Sequence, residues 1–349
     1  MSRIRMHPSG REVECQEGDT VLSALEKAGY ALPNNCRAGA CGECKVKVLS
    51  GQFDQGMVLD MALSQAERKD GYGLMCMAKP ISEELVIEWG TADARPKLFP
   101  PRENVLYVVT DRIPRTPRIV ELLLRPLGTP LRYWPGQYVQ LGDERAGASP
   151  RCYSIANAPR PDGEIALHVT RVDGGSTSTW VHDTLKVGDV VSLNGPYGTF
   201  IGDPSVETPV LCMAAGSGLA PILALAEAAL RRGYRLPVTL LFSAREKADL
   251  YEQGMMAYWR QKHRNFEYKA TLTREVHEGL CGRIPAVLPS LFTDLSQHSV
   301  FIAGSPEFVE DCVKAAKALG ARDELIHTEG YFAQQQPEYP SADRLTAVA

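Results

Sequence analysis

Four cysteines have the spacing of ligands to an iron–sulfur cluster. Cys36, Cys41 and Cys44 follow one another closely, and Cys76 is a distant fourth thiol. The arrangement C-x4-C-x2-C with one remote cysteine is the ligand spacing of a [2Fe-2S] cluster. The intervening residues are mostly alanine and glycine, which lets backbone N–H groups approach the cluster sulfurs. Zinc is the alternative, but zinc sites usually combine two short cysteine pairs. The pattern therefore predicts a [2Fe-2S] cluster.

The size and charge of the chain limit the class of protein. A chain of 349 residues is long enough for two or three domains. Its net charge of −4 offers no basic surface, so no nucleic-acid partner is expected. The cysteines that remain beyond the four ligands are odd in number and scattered, which is typical of a reducing cytoplasm. They are Cys15, Cys152, Cys212, Cys281 and Cys312.

Neither a secretory signal nor a membrane span is predicted. The first residues contain no apolar run of the kind found in signal peptides. Residues 209–226 carry no charge, but glycines and prolines interrupt them and the run is short for a span. A buried strand followed by a helix is the better interpretation. We therefore expect a cytoplasmic protein with no membrane partner.

Residues 1–93 predict a small α+β domain around the cysteines. Arg3–His7 and Glu12–Cys15 alternate as two short strands, and a capped helix follows and stops at Gly29. Val86–Trp89 predicts a closing strand. Residues 94–103 contain three prolines and predict a semi-rigid linker.

This first stretch resembles a plant-type ferredoxin throughout. The resemblance includes the cysteine loop and the segment from Cys76 to Pro80. It implies the β-grasp fold of that family for residues 1–93.

Residues 104–203 predict a small antiparallel β-barrel. Short alternating stretches are separated by proline, glycine and aspartate, and one helical pattern, Ser176–Leu185, interrupts them. The predicted strands are Val105–Thr110, Arg118–Arg125, Gln137–Leu141, Arg151–Ile155, Glu164–Val172 and Val190–Leu193.

Two patterns within the predicted barrel suggest a flavin site. An arginine such as Arg151 can hold a pyrophosphate, while Tyr153 can lie against an isoalloxazine and Ser154 can hydrogen-bond to its N5. An exposed arginine without function is the alternative. Further along, Gly174–Ser178 opens a helix with glycines and hydroxyls, which suits an anion. An ordinary capped helix is the alternative there.

Across residues 104–332 the chain resembles the ferredoxin–NADP⁺ reductase-like superfamily. The matching segments are Pro135–Tyr138, Arg151–Ser154, Gly175–Ser178 and Gly195–Gly198. The resemblance implies FAD as cofactor. It also implies a set of flavin-binding residues: Arg151, Tyr153, Ser154, His168, Val169, Thr170, Gly175, Ser176, Thr177 and Ser178.

One position departs from that family. Many relatives have an arginine where this chain has Thr170, and Arg171 is displaced by one residue. A shift of one residue on a strand moves a side chain to the opposite face, so Arg171 is not expected to contact the flavin.

Residues 204–332 predict a doubly wound α/β domain that binds a nicotinamide nucleotide, and residues 333–349 predict a loosely held tail. Gly216, Ser217 and Gly218 join an apolar strand to a helix, where a pyrophosphate can approach. A tight turn without phosphate is the alternative.

A second strand ends similarly with Gly304, Ser305 and Pro306. In the family a cysteine usually precedes this glycine, so Ala303 implies that hydride transfer depends on positioning alone. Arg245 suits a 2′-phosphate, but Glu246 and Asp249 oppose one, which favours NADH over NADPH.

The segment Glu329–Phe332 resembles the acidic and aromatic segment that covers the flavin in the family. Tyr331 aligns best and Phe332 is the second choice. The alternative is that these aromatic residues only fix the last strand to the core. Tyr153, Ser154 and Tyr331 are thus the predicted catalytic residues, beside Glu329 as a cofactor contact.

The order of ferredoxin, flavin and nicotinamide domains resembles the reductase components of bacterial multicomponent oxygenases, such as phenol or toluene monooxygenases and naphthalene-type dioxygenases. The resemblance implies electron transfer from NADH through FAD and the [2Fe-2S] cluster to a terminal oxygenase, directly or through a separate ferredoxin. A deoxysugar dehydratase or a desaturase is an alternative client. A redox sensor without steady turnover is the alternative of another class.

Overall fold

Three separate sheets organise the chain. The structure is a computed structural model that describes residues 1–92, 94–203, 206–275 and 279–331. A five-stranded mixed sheet comes first, a six-stranded antiparallel sheet second and a six-stranded parallel sheet third. We call the parts built on them the first unit, the barrel and the third unit. The predicted fold class, a β-grasp ferredoxin fold, an antiparallel barrel and a doubly wound α/β fold, is confirmed.

The first unit surrounds the cysteine loop. Its elements are β1 (Ser2–His7), β2 (Glu12–Cys15), α1 (Val21–Lys27), β3 (Lys45–Ser50), β4 (Phe53–Asp54), α2 (Gln65–Lys69), β5 (Tyr72–Leu74), β6 (Lys79–Pro80) and β7 (Glu84–Glu88). The sheet order is β2-β1-β7-β3-β5, with β1 parallel to β7. Thr20 caps α1 by accepting a hydrogen bond from the Ser23 N–H at 3.2 Å. Leu22 and Leu25 of α1 pack on Ile4 and Met6 of β1.

The barrel closes on itself. Its elements are β8 (Arg102–Pro114), β9 (Ile119–Pro126), β10 (Tyr138–Asp143), β11 (Ala148–Ser154), β12 (Ile165–Thr170), α3 (Ser176–Asp183) and β13 (Val190–Tyr197). The strands follow the order β11-β10-β13-β8-β9-β12. A bridge between Ile155 and Leu167 joins the two ends of that order. The closed sheet places Ser154, the last residue of β11, beside β12.

The sheet of the third unit extends in both directions from its first strand, β14. Its elements are β14 (Val210–Ala215), α4 (Leu219–Arg231), β15 (Val238–Ala244), α5 (Gln253–Lys262), β16 (Phe266–Leu272), β17 (Leu280–Cys281), α6 (Ile284–Leu291), β18 (Ser299–Gly304), α7 (Pro306–Ala318) and β19 (Ile326–Gly330). The order β17-β16-β15-β14-β18-β19 reverses between β14 and β18. In such sheets ligands bind beyond the carboxyl ends of the strands at the point of reversal.

The uncharged segment 209–226 forms the buried strand and helix that were predicted. The helix α4 begins at Leu219, after a 3₁₀ turn over Gly216–Gly218, so Pro221 is its third residue and not its first. Proline is tolerated there because the first N–H groups of a helix have no intrahelical acceptor. No helix among the described residues is long and apolar enough to cross a membrane.

The segment predicted as a linker is held between the first unit and the barrel. The N–H groups of Lys97 and Leu98 donate to the Gly29 carbonyl, and the Trp134 indole donates to the Lys97 carbonyl at 3.0 Å. Phe99 stacks on Trp134 with a centroid separation of 5.5 Å. β8 begins at Arg102, which lies inside the predicted linker. The exact domain boundaries stay predictions.

Candidate redox site

The four predicted cluster cysteines lie together in the first unit. Three of them are buried and Cys41 is partly exposed. The N–H groups of Ala38, Ala40 and Cys41 point at the Cys36 sulfur, 3.3–3.4 Å away. The Cys76 N–H makes the same contact with the Cys44 sulfur at 3.4 Å. Backbone donors aimed at sulfur are what a thiolate cluster requires, so this loop fits a [2Fe-2S] cluster.

The same hydrogen bonds favour a thiolate at Cys36. A hydrogen bond from the Cys41 thiol lowers the pKa of Cys36 to about 5, and the backbone N–H groups act in the same direction. Gly39 permits the tight loop, since its φ is +67° and a Cβ there would press on Val58 and on the Met57 carbonyl. The backbone conformation and the N–H groups of the loop therefore favour a thiolate that can bind iron.

Ser154 lies at the meeting point of the barrel and the third unit. Its hydroxyl donates to the Glu329 carboxylate at 3.1 Å and lies 3.1 Å from the Tyr331 hydroxyl. The Tyr331 hydroxyl is also 3.5 Å from the Ser217 carbonyl. Ser154, Tyr331, Glu329 and Ser217 were all predicted site residues, and the structure brings them together. Phe332, the second aromatic candidate, lies outside the described residues.

Burial changes the acid–base properties of this group. Glu329 is only 6% exposed, and burial raises the pKa of its carboxyl to about 8. Burial likewise raises the pKa of Tyr331 well above its usual range. Both side chains are thus disposed to stay protonated near neutral pH.

The strand and helix predicted for the flavin are adjacent, as the barrel order requires. Tyr153 packs on the barrel core, and Arg151 is partly exposed and donates to the Pro150 carbonyl at 2.8 Å. The helix α3 starts at Ser176 after Gly175, which offers no side-chain cap. The unpaired N–H groups of this first turn suit a phosphate.

Two hydroxyls of that helix already have protein partners. Thr177 donates to the Ser149 carbonyl, and Ser178 accepts from the Val172 N–H at 3.1 Å. By contrast, the Thr170 hydroxyl is buried with no hydrogen-bond partner in the described structure. A buried hydroxyl of this kind costs free energy unless a polar group meets it. The bare helix start and the orphaned hydroxyl fit a bound dinucleotide flavin.

The side chain of His168 faces the third unit. Its Nε2 lies 3.5 Å from Glu121, the residue directly opposite on β9, and its Nδ1 lies 3.3 Å from the Tyr251 hydroxyl. Tyr251 also donates to the Gly216 carbonyl at 3.1 Å. Any flavin contact at His168 and Val169 therefore belongs to the backbone of β12 and stays a prediction. Arg171 pairs with Asp183 at 2.6 Å.

A buried network between the barrel and the third unit was not revealed by the sequence patterns. It consists of Arg115, Glu121, Tyr251 and Glu252. Arg115 contacts Glu121 at 2.5 Å and Glu252 at 3.0 Å. One guanidinium of the barrel therefore binds one carboxylate of the barrel and one of the third unit. Glu252 has a φ of +58°, which is uncommon outside glycine. A positive φ is not visible in a sequence, and these residues are remote along the chain. No local motif marks them.

The two predicted nucleotide loops meet at the reversal of the parallel sheet. Gly216–Gly218 follows β14 and Gly304–Pro306 follows β18, the neighbouring strand. Gly218 has no room for a side chain, because a Cβ would clash with the Ala303 carbonyl. Ser305 caps α7 by accepting from the Phe308 N–H at 3.3 Å, and Pro306 is its first residue. A pyrophosphate is expected to bind in a crevice at this point of such a sheet, where two helix starts offer N–H groups.

Arg245 follows β15, the strand that pairs with β14 on the side away from β18. It is exposed directly after β15, followed by Glu246. Glu246 and Asp249 accept each other's backbone N–H groups in a reciprocal cap. The carboxylates of Glu246 and Asp249 are therefore held close to Arg245 in the chain. This is the arrangement from which NADH was predicted over NADPH.

Three known families match successive parts of the chain. Residues 4–80 match the 2Fe-2S iron-sulfur cluster binding domain. Residues 109–201 match the oxidoreductase FAD-binding domain, and residues 212–314 match the oxidoreductase NAD-binding domain.

Named proteins align with most of the chain. The reductase subunit of an aromatic O-demethylase of Amycolatopsis sp. is 35% identical over 92% of this chain and 96% of its own length. The reductase component of phenol 2-monooxygenase of Pseudomonas sp. is 36% identical over 78% of this chain and 76% of its own length. The chain belongs to the reductase components of multicomponent oxygenases. The crystal structure of a cytochrome P450 reductase of Amycolatopsis resembles this reductase with a TM-score of 0.84 and 33% identity, covering 95% of this chain and 98% of that one.

Family membership confirms the predicted activity and cofactors. The reductase is an oxidoreductase that passes electrons from NADH through FAD and a [2Fe-2S] cluster to a terminal oxygenase. The roles assigned to individual flavin and nucleotide residues stay predictions. The geometry described above is compatible with them.

Proposed function

We propose that this reductase supplies electrons to a terminal oxygenase that acts on an aromatic compound. The observation that carries the proposal is the alignment of the aromatic O-demethylase reductase with nearly the whole chain. The contact of Ser154 with Glu329 and Tyr331, 3.1 Å from each, supports the path of electrons through the chain, which is common to every client.

Each residue group has a distinct part in the proposal. Cys36, Cys41, Cys44 and Cys76 hold the cluster. Arg151, Tyr153 and the start of α3 bind and orient FAD, while the two glycine turns beyond β14 and β18 bind NADH. The bound FAD supplies the conversion from a two-electron hydride donor to one-electron transfers.

Ser154, Glu329 and Tyr331 form a hydrogen-bonded cluster that would line the place where nicotinamide and flavin meet. Burial raises the pKa of Glu329 to about 8, so its carboxyl group would hold a proton that the Ser154 hydroxyl could pass on. The Tyr331 ring would keep water away from the bound flavin.

The acceptor is proposed to dock beside the cysteine loop. Three large apolar side chains in five residues are exposed there, Met57 at 77%, Leu59 at 52% and Met61 at 84%. The Leu59 N–H donates to the Gly39 carbonyl at 3.0 Å, so this segment touches the cluster loop directly. Exposed methionines adapt to an apolar partner surface. We call residues 57–61 the exit patch.

The compartment is proposed to be the cytoplasm. The odd number and scatter of the cysteines beyond the four ligands support a reducing environment.

Reconstitution tests the client. The purified reductase is combined with NADH and terminal oxygenases of the haem and non-haem aromatic classes, and hydroxylated or demethylated product is measured. We expect product with one of these two oxygenase classes. We expect no product when a deoxysugar dehydratase or a desaturase replaces the oxygenase. The similarity to a cytochrome P450 reductase makes a haem acceptor the first to assay.

NADH-dependent reduction of cytochrome c tests for steady turnover. Many turnovers per reductase are expected. A single turnover followed by arrest would instead support a sensor, and electron delivery only to a dehydratase or desaturase would refute the proposed client.

A further inference from the structure

The residues on both sides of Cys36 contact the flavin and nicotinamide side of the molecule. The Tyr138 hydroxyl of β10 donates to the Asn34 side chain at 2.7 Å. The Asn35 amide donates to the Gly330 carbonyl of β19. The Arg37 guanidinium lies over the Tyr197 ring of β13, 4.1 Å from its centroid. Cys36 is thus the cluster ligand whose neighbours reach both other units.

A buried carboxylate holds this segment in place from within the first unit. Both oxygens of Glu26, on α1, accept from Arg37 at 2.7 and 2.8 Å, and Asn34 donates to the same carboxylate at 3.2 Å. Arg37 has a φ of +53°, a left-handed conformation that is unfavourable for a non-glycine residue. The ion pair with Glu26 holds that conformation, and so directs Arg37 at the barrel.

The contact at Gly330 connects the two redox centres through few atoms. Gly330 stands between Glu329 and Tyr331, whose side chains both meet Ser154 at 3.1 Å. Asn35 immediately precedes the cluster ligand Cys36. One side-chain hydrogen bond therefore joins the strand at the flavin edge to the cluster loop.

The glycines of the cysteine loop contact a different part of the first unit. Gly39 and Gly42 lie against Leu59 and Ala62, in and beside the exit patch. The loop thus contacts the exit patch through its glycines, whereas Asn35 and Glu43 line a cleft shared with Thr199 and Thr328.

We propose that Asn35 is a positioning residue that holds Cys36 against β19 and thereby sets the rate of electron transfer from flavin to cluster. The step moves one electron from the reduced flavin to a ferric iron, and no bond forms or breaks. The rate measurement rests on the proposed function, whereas the exchange measurement below does not.

The substitution Asn35→Asp tests this role with little change in shape. A carboxylate cannot donate to the Gly330 carbonyl and repels it. Asn104→Asp is the matched control, because Asn104 is exposed on the barrel and uses its side-chain oxygen as an acceptor from Ser192. Iron content and the spectrum of the chemically reduced cluster verify that each variant carries its cluster.

Two measurements are made on each holoprotein. Stopped-flow absorbance follows flavin reduction by NADH and then cluster reduction. Hydrogen–deuterium exchange follows peptides covering residues 34–41 and 326–331. In Asn35→Asp we expect unchanged flavin reduction, cluster reduction slower by about tenfold and faster exchange in both peptides. The tenfold effect corresponds to the loss of one partly buried hydrogen bond from the docked state, by about. Asn104→Asp is expected to match the wild type.

Cluster reduction at the wild-type rate in Asn35→Asp would overturn the proposal. Should that variant lose its cluster, Asn35→Ala provides the second test, because it removes the donor to the Gly330 carbonyl without adding a charge beside the cysteine loop. Slower cluster reduction with faster exchange at residues 34–41 supports the proposal, and wild-type values for both refute it. A wild type that does not reduce its own cluster with NADH would refute the proposed function instead.

Discussion

At the scale of single residues, the clearest feature is a carboxyl group in an environment that opposes its charge. Burial raises the pKa of Glu329 to about 8 from the ordinary 4.5, and its hydrogen bond from Ser154 only partly offsets this. Between these two values the folded chain retains a proton that the unfolded chain has released. The folded state therefore loses stability as pH rises through this interval.

Glu329→Gln is expected to remove this pH dependence. The comparison is made on the cofactor-free chains. The free energy of unfolding of the wild type minus that of the variant should decrease by up to about 1.4 kcal/mol for each pH unit between about pH 5 and 8. Above that range the difference should be constant. Urea unfolding of both proteins across the pH series measures it, and a pH-independent difference would contradict the buried acid.

The sequence identified the residues of this site by type but not their contacts. The spacing of the cysteines identified them as cluster ligands. Ser154 and Tyr331 were identified by the resemblance to a family. Asn35 and Tyr251 carry no motif, because their importance arises from contacts with residues far away in the chain, Gly330 and His168. Such pairs are set by how the units dock, which no local pattern records.

At the scale of elements, two glycines of the turn after β14 have different structural roles. Gly216 has a φ of +56° with open space around its α-carbon, whereas Gly218 lies against the Ala303 carbonyl at the end of β18. The first glycine serves backbone conformation and the second serves close approach of two strand ends.

These glycines predict a contrast between two alanine substitutions. Gly216→Ala should cost about 1 kcal/mol of stability, the usual penalty for a positive φ. Gly218→Ala should cost about 3 kcal/mol and weaken NADH binding strongly, because backbone cannot move aside as a side chain can. Thermal unfolding and NADH titration of both variants measure the contrast. Equal effects would show that the two loops are not in contact.

Strands were easier to predict than helices in this chain. The predicted barrel strand Arg118–Arg125 is β9, which is shifted by one residue to Ile119–Pro126, and the predicted Gln137–Leu141 is β10, which spans Tyr138–Asp143. The helix α6 was missed because it contains Pro285 and Pro289, which normally argue against a helix. α3 is two residues shorter than predicted, since its last turn ends at Asp183.

At the scale of the whole molecule, one guanidinium joins the barrel to the third unit. Arg115 contacts both Glu121 and Glu252, whose side chains are almost fully buried. Burial raises the pKa of Glu252, and Arg115 opposes that shift. Without the arginine two buried carboxylates would face each other.

Arg115→Met is therefore expected to lower the free energy of unfolding by about 3 kcal/mol. It should also slow flavin reduction by NADH, because the third unit loses its fixed orientation. The matched change Arg118→Met breaks an exposed pair with Asp173 and should cost less than about 1 kcal/mol. Urea unfolding and stopped-flow reduction provide the comparison, and similar losses in both variants would argue against a special role for Arg115.

The exit patch predicts a second effect at this scale. Replacing Met57 and Met61 together by serine should raise the KM for the terminal oxygenase about tenfold, the effect of removing two apolar contacts. Ferricyanide reduction by NADH should be unchanged, since that acceptor needs no docking surface. Leu127→Ser, an exposed leucine on the barrel, is the control. An unchanged KM in the double variant would place the acceptor elsewhere.

The position of β19 in the chain has a consequence for assembly on the ribosome. The cysteine loop lies near the amino end, whereas Gly330, to which Asn35 donates, is synthesised some hundreds of residues later. Because nascent domains fold in order of emergence, the first unit folds before the strand that carries Gly330 has been synthesised. The contact between the cysteine loop and β19 is therefore among the last to form, and an incomplete chain lacks it.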